Sequence, residues 1–266
     1  MKLLAIETAT RRVGCALWDS GEPVAGFSLV AGQRHAEVLM PAVDHLCRQA
    51  GWGPGHIEAV AVDRGPGLFT GLRVGLATAR AMAAARGLPA VGVSSLDALA
   101  YPHRRRPGLL VAVVDARRGE VFWALYRGDG AELRELRPPA VSPPETVAGE
   151  LAALAAGELA SAGPPLLAVG DGARRYRDAL SLAGAEVGGP DEMWPSADAV
   201  AALGWAGLTE AGAPRELPGP LYLRQADVRI GWEEVSGRVA RPSPPEPGAR
   251  SYDDAGSARV GTRLGA

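Results

Sequence analysis

A glycine-rich turn opening a helix can receive a phosphate on its backbone N–H groups, and residues 65–71, Gly-Pro-Gly-Leu-Phe-Thr-Gly, have that form. Two features weaken a phosphate reading. Lys2 is the only lysine, so the chain has no Walker A lysine, Schiff-base lysine or kinase strand lysine after it. The glycines at 65, 67 and 71 also miss the dinucleotide fingerprint by one residue. Glu7, Asp63 and Asp115 end apolar runs and, with Thr8 beside the first, form the one acidic constellation that could work on a nucleotide or a cation. Strand-end acids more often cap the turns that follow them, and that reading is favoured. His35 and His45 are ten residues apart, not the i,i+4 pair of a helical metal site, so no metal is expected. Cys47 has Arg48 beside it but falls on an apolar face, where a core thiol is the expectation.

The elements that would carry these residues come in two rounds. Apolar runs at 3–7, 13–18 and 23–30 predict an antiparallel three-strand start, followed by a helix over about 36–50 that Pro41 kinks or restarts. Then come a strand at 57–62, a helix over 71–86 with Thr70 as its N-cap, a strand at 90–93 and a short helix from 94 to 100. After the polar break at 103–108 the order begins again more loosely: strands at 109–114, 121–127 and 132–141, a helix from 144 to 159, a strand at 166–169, and helices at 173–183 and 196–211. Two halves of the order β-β-β-α-β-α predict a duplicated α/β domain around a cleft. The tail after about 235 is rich in Pro, Gly, Ser and Arg without apolar periodicity and reads as disordered.

Helix 71–86 is the anomaly. Its charges before the last turn are Arg73 and Arg80, and Gly71, Gly75, Ala79 and Ala83 recur every four residues, a small-residue stripe that lets another helix approach closely. His35, Leu39, Val43 and Leu46 of the preceding helix, with Leu72, Leu76, Met82 and the stripe, are therefore the candidate interface. Leucine at Gly75 and Ala79 would then block a partner while the chain still folds.

Composition bounds the rest. At 266 residues, 47% hydrophobic and 22% charged, the chain has ample core for one or two domains, and a formal net charge of −2 leaves no global footprint for nucleic acid. Arginine clusters at 103–106, 117–118 and 174–177 could touch phosphates only locally. The start, Met1-Lys2-Leu3-Leu4-Ala5-Ile6-Glu7, reads as a strand rather than a signal peptide, no run suits a membrane span, and two cysteines make no disulfide framework; the cytoplasm is the expected location.

The two-round plan led by Ile6-Glu7-Thr8-Ala9-Thr10 resembles the actin/hexokinase/Hsp70 (ASKHA) superfamily. More narrowly, Leu4-Ala5-Ile6-Glu7-Thr8-Ala9-Thr10, Arg34-His35, Gly65 to Gly75, Val93-Ser-Ser-Leu-Asp-Ala-Leu99, Val114-Asp-Ala-Arg-Arg118 and Pro220-Leu-Tyr-Leu-Arg224 resemble the bacterial TsaB (YeaZ) family. Leu68 stands where that family usually has serine. The resemblance implies an α/β ASKHA fold with a first subdomain over 1–104 carrying dimerisation helices, a second over 105–225, and a tail over 226–266. It also implies a non-catalytic subunit that activates TsaD, the paralogous transferase forming N6-threonylcarbamoyladenosine in tRNA next to the anticodon. The partnership would run through a helical bundle, with a TsaE-type ATPase joining the complex, a homodimer when TsaD is absent, and tRNA met only indirectly.

Ser95 and Leu99 stand where TsaD has its paired metal-binding histidines. Glu7 and Ala9 stand where the superfamily has aspartate and glycine, and Asp115-Ala-Arg-Arg118 where it has an Asp-x-Gly-Gly loop. The resemblance thus implies no cofactor, and at most weak nucleotide or Mg²⁺ binding at a vestigial cleft of Glu7, Thr8, Asp63 and Asp115. The alternatives are a nucleotide-dependent enzyme of the same fold and a glycoprotease-like metallopeptidase.

Overall fold

Apolar side chains at every position of a strand require cover on both faces of its sheet. The computed structural model describes residues 1–157, 166–210, 217 and 219–224. Strands β1 (Lys2–Glu7), β2 (Arg12–Asp19), β3 (Glu22–Val30), β4 (Ala59–Asp63) and β5 (Ala90–Val93) form a mixed sheet in the order β3-β2-β1-β4-β5. β1 runs antiparallel to β2 and parallel to β4, with Ile6 beside Val62. Helices α1 (His35–Gln49) and α2 (Phe69–Arg86) cover one face over Leu4, Ile6, Val60 and Val62. The other face, Leu3, Ala5, Ala59 and Ala61, packs on α7 (Ala197–Glu210).

The second sheet repeats the order. β6 (Gly108–Arg117), β7 (Glu120–Gly128), β8 (Leu133–Ser142), β9 (Leu167–Val169) and β10 (Glu186–Val187) lie as β10-β9-β6-β7-β8. Leu109, Val111 and Val113 pack beneath α4 (Pro144–Gly157), α5 (Asp171–Arg175) and α6 (Arg177–Leu182). Leu110, Ala112 and Val114 pack on α3 (Ser95–Ala100) from the first half. This duplicated plan is the ASKHA fold. Residues Met1–Gln225 form one unit, and the tail expected to be disordered lies outside the described residues.

Four details differ from the expectation. α2 begins at Phe69 with Leu68 as its N-cap, because the Leu68 N–H donates to the Ala9 carbonyl at 2.6 Å and fixes the chain two residues before Thr70. The single helix expected at 173–183 is two, divided at Tyr176. β10 has two residues, too short for a periodic signal. α7 follows the second half in sequence but lies on the first sheet, where Trp18 Nε1 donates to Asp198 Oδ1 at 3.0 Å.

Candidate functional site: the helical face and the cleft floor

The small-residue stripe of α2 faces the chain's own sheet. Gly71, Gly75 and Ala79 are buried, and a Cβ added at Gly71 would run into the Thr8 carbonyl oxygen and one at Gly75 into Thr8 Oγ1. The Thr8 hydroxyl donates to the Gly71 carbonyl at 2.9 Å, so α2 sits directly on the end of β1. One turn earlier a Cβ at Gly67 would strike the Ala9 carbonyl. Glycines spaced by four therefore admit a strand backbone here, not a second helix.

The expected interface residues accordingly need correction. His35, Leu39, Val43, Leu46, Gly71, Leu72, Gly75, Leu76 and Ala79 are buried within the chain, and Met82 and Ala83 are half-buried at the edge of the same core. The physical reason is that α1 and α2 must both cover Leu4, Ile6, Val60 and Val62, and Leu39, Val43, Leu46, Leu76 and Ala79 do so. What the pair shows outward is a different set. Ala36, Glu37, Met40, Pro41, Asp44, His45, Arg48 and Gln49 are exposed on α1, as are Ala77, Ala81, Ala84 and Ala85 on α2, with Arg73 and Arg80 among them. Met40 is 46% exposed, and α2 carries no acidic side chain.

The three strand-end acids all cap the turns that follow them. Glu7 Oε1 accepts from the Ala9 N–H at 2.8 Å, Asp63 Oδ1 from Gly65 N–H at 2.8 Å, and Asp115 Oδ1 from Arg117 N–H at 3.0 Å. Their second oxygens divide them. Asp115 Oδ2 lies 3.1 Å from Arg117 Nη1 and 3.4 Å from Arg175 Nη1, a carboxylate held between two guanidinium groups. Glu7 Oε2 and Asp63 Oδ2 are completely buried without a hydrogen-bond partner. β1 and β4 are parallel and Ile6 pairs with Val62, so these two acids end neighbouring strands side by side.

Two adjacent buried carboxylates cannot both ionise cheaply. Burial above all, and then the Asp63 charge, pushes Glu7 well above the usual carboxylate range. Burial likewise raises Asp63 to about 7, although the Ser95 hydroxyl, 2.6 Å from Oδ1, and the Gly65 N–H pull the other way. Burial of the pair thus favours the protonated carboxyl over the carboxylate at the cleft floor.

The first turn, which joins β1 to β2, is clasped by its surroundings. His35 Nε2 donates to the Thr10 carbonyl at 2.7 Å, and the Ala31 and Gly32 N–H groups donate to the Arg11 carbonyl at 3.0 and 3.1 Å. With the Ala9 N–H directed to Glu7, the amide that could meet a phosphate at the turn is engaged internally. Ser95 holds Asp63, and Leu99 lies in the core on β6. Among the described residues no group of three His, Cys, Asp or Glu side chains is placed to hold a metal. Cys15 and Cys47 are buried free thiols; burial raises both, Cys15 to about 12, so neither is an activated nucleophile. None of the helices among the described residues is long and apolar enough to cross a membrane.

Sequence reasoning missed the outward set because alanine and methionine carry no chemical signature, and missed the Glu7–Asp63 pairing because adjacency across strands is a matter of register.

Residues 29–187 match the family model described as TsaD, tRNA N6-adenosine threonylcarbamoyltransferase. The Escherichia coli tRNA threonylcarbamoyladenosine biosynthesis protein TsaB is 40% identical over 131 residues, 48% of this chain and 56% of that protein. The Haemophilus influenzae protein of the same name is 32% identical over 161 residues, 57% of this chain and 68% of its own length. Among solved structures, YeaZ from Pseudomonas aeruginosa superposes with a TM-score of 0.67 at 29% identity, covering 84% of this chain and 99% of the other. With its duplicated sheets and with the motifs from β1 to residue 224 in place, the chain belongs to the TsaB (YeaZ) family.

Proposed function

We propose that this chain is a non-catalytic subunit in the formation of N6-threonylcarbamoyladenosine on tRNA, and that it docks a TsaD-type transferase through the outward face of α1 and α2. The observation that carries the reading is the outward face of α2: one side of that helix is sealed on its own sheet, while the other shows Ala77, Ala81, Ala84 and Ala85 with arginines and no acid, beside Met40 of α1, whose own outward side also carries Glu37, Asp44, His45, Arg48 and Gln49. An alanine-rich outward face on α2, rimmed by the charged residues of α1, suits a partner helix pair. The family name of its relatives gives the pathway, and the engaged first turn, the arginine-bracketed Asp115 and the absence of paired histidines at 95 and 99 support a supporting rather than a chemical role. A TsaE-type ATPase would join the transferase complex, two copies of this chain would pair by the same face when the transferase is absent, tRNA would be held by the partner, and the complex would work in the cytoplasm.

Charge placed on that face separates docking from folding. Ala81→Glu combined with Met40→Asp is expected to weaken the complex with the transferase at least about 30-fold, the scale of losing a central anchor, while the melting temperature of the isolated chain stays within a few degrees. Co-purification and calorimetric titration of the double variant measure this, and undiminished binding would remove the face from the account.

A further inference from the structure

We propose that a cavity where the two halves of the chain meet binds a linear aliphatic diamine, its ammonium groups held by Asp97, Glu132 and Glu135 and its methylene chain by leucine and tyrosine side chains. The cavity has a volume of about 530 Å³, within the range of small-molecule sites. None of the strand-end acids and no residue of α1 or α2 lines it, so it is separate from both the cleft floor and the outward helical face. Asp97 and Tyr101 come from α3 and the turn after it, and Tyr126 from β7. Glu132, Leu133 and Glu135 come from the start of β8 and the residue before it, and Leu203 from α7.

The wall selects for a cation with an apolar body. Three carboxylates against the one guanidinium of Arg104 leave the lining with two negative charges, which a dication neutralises. Arg104 is already engaged: its guanidinium stacks on the Tyr101 ring, 4.2 Å from the centroid, and Nη1 donates to the Tyr101 carbonyl at 3.3 Å. Asp97 is fixed by the buried Tyr126, whose hydroxyl donates to Oδ1 at 2.7 Å; no hydrogen bond among the described residues takes Oδ2. Burial raises Asp97, with the Tyr126 hydrogen bond and the Arg64 charge pulling it down, and burial and the Asp97 charge raise Glu135. These two carboxylates therefore repel each other, and an ammonium ion between them turns repulsion into attraction. The three acids line one cavity, yet among the described residues no such three are gathered closely enough to hold a metal ion. Charges spread along a cavity suit a ligand whose own charges are spaced by a chain, not a compact ion that wants its oxygens in one shell. Leu133, Leu203 and the tyrosine rings give that chain a surface to pack on. Because both halves contribute, the diamine ties them together and stabilises the folded chain by its binding.

Calorimetric titration of the full chain with three probes at matched ionic strength tests the site: 1,4-diaminobutane, 1,4-butanediol and Mg²⁺. The diamine is expected to bind saturably at one site with a Kd below about 1 mM, and to raise the melting temperature as it binds. The diol has the chain without the charge and Mg²⁺ the charge without the chain, so each should bind at least about tenfold more weakly. Asp97→Asn keeps an oxygen for the Tyr126 hydroxyl and should weaken the diamine about tenfold, the scale of one charge-assisted hydrogen bond. Glu135→Gln, at an exposed position, should do the same. If Asp97→Asn fails to fold, Glu135→Gln and the ratio of diamine to Mg²⁺ affinity decide alone. Mg²⁺ that binds as tightly as the diamine, a diol that does so, diamine binding untouched by Glu135→Gln, or no saturation by the diamine overturns the site.

Discussion

Leucine at Gly75 is expected to unfold the chain rather than merely block a partner. A Cβ at Gly75 already collides with Thr8 Oγ1, and the Thr8 hydroxyl is the group that ties β1 to α2 through the Gly71 carbonyl. Even Gly71→Ala should destabilise. Alanine gains about 1 kcal/mol in helix propensity over glycine, but the added methyl must displace the Thr8 backbone carbonyl, and overpacking of that kind costs about 1–3 kcal/mol or more. The collision is with main chain, which cannot rotate away, so the packing term wins. Thermal denaturation should show a lowered midpoint for Gly71→Ala at roughly 2–4 °C per kcal/mol, with Gly75→Leu poorly soluble. Ala77→Leu, on the exposed side of the same helix, should stay within about 0.5 kcal/mol of the parent. Equal stability of Gly71→Ala and Ala77→Leu would mean that the stripe does not press on β1.

Stability should fall as pH rises from about 4 to about 7, and Asp63→Asn should remove the Asp63 share of that slope while the share of Glu7, raised mainly by burial, remains. In the folded chain Asp63 keeps its proton up to about 7, while the unfolded chain releases it near the ordinary value of 3.8. Between those values the folded state holds more protons than the unfolded one. Each added pH unit therefore takes away up to about 1.4 kcal/mol until the folded group also ionises. The stabilising contribution is whole below 3.8 and gone above about 7. Glu7 is raised in the same sense, mainly by burial, and extends the trend in the same direction. Asparagine at 63 can keep the Gly65 and Ser95 contacts on its oxygen and has no charge to bury, so the variant should gain on the parent most at and above pH 7. Urea titrations across pH 4 to 8 check this. A parent whose stability rises over that window would mean that burial does not hold the two carboxyls protonated.

The sequence was informative where one residue's neighbours in the chain decide its structure. The strands at 3–7, 13–18 and 90–93 were readable because their apolar runs are bounded by turn residues, and both helices over the first sheet because their apolar positions recur at three and four. The capping role of Glu7, Asp63 and Asp115 was readable for the same local reason, since each bonds the N–H two residues on. Facing was not readable. Gly71, Gly75 and Ala79 show that small residues share a side of α2, yet a helix with mostly alanine on its other side has only Arg73 and Arg80, before its last turn, to say which side is out. Thr70 is a good capping type, but the hydrogen bond from Leu68 to Ala9 starts the helix earlier, through a contact some sixty residues away in sequence. α7 was placed in the second half by order alone, while its alanines and Gly204 fit against Ala61 of the first sheet. That the charge of one cleft acid bears on the other depends on β1 and β4 being adjacent and in register, which no spacing reveals.

The account turns on α1 and α2 acting through their outward face while the cleft does no chemistry. Reconstituted threonylcarbamoylation of tRNA by a TsaD-type transferase, titrated with this chain, tests it most directly. The account predicts activity that rises with the chain and saturates at equimolar transferase, unchanged with Asp63→Asn and lost with Ala81→Glu combined with Met40→Asp. Activity that survives the charged face, or disappears with Asp63→Asn while the complex still forms, would contradict it.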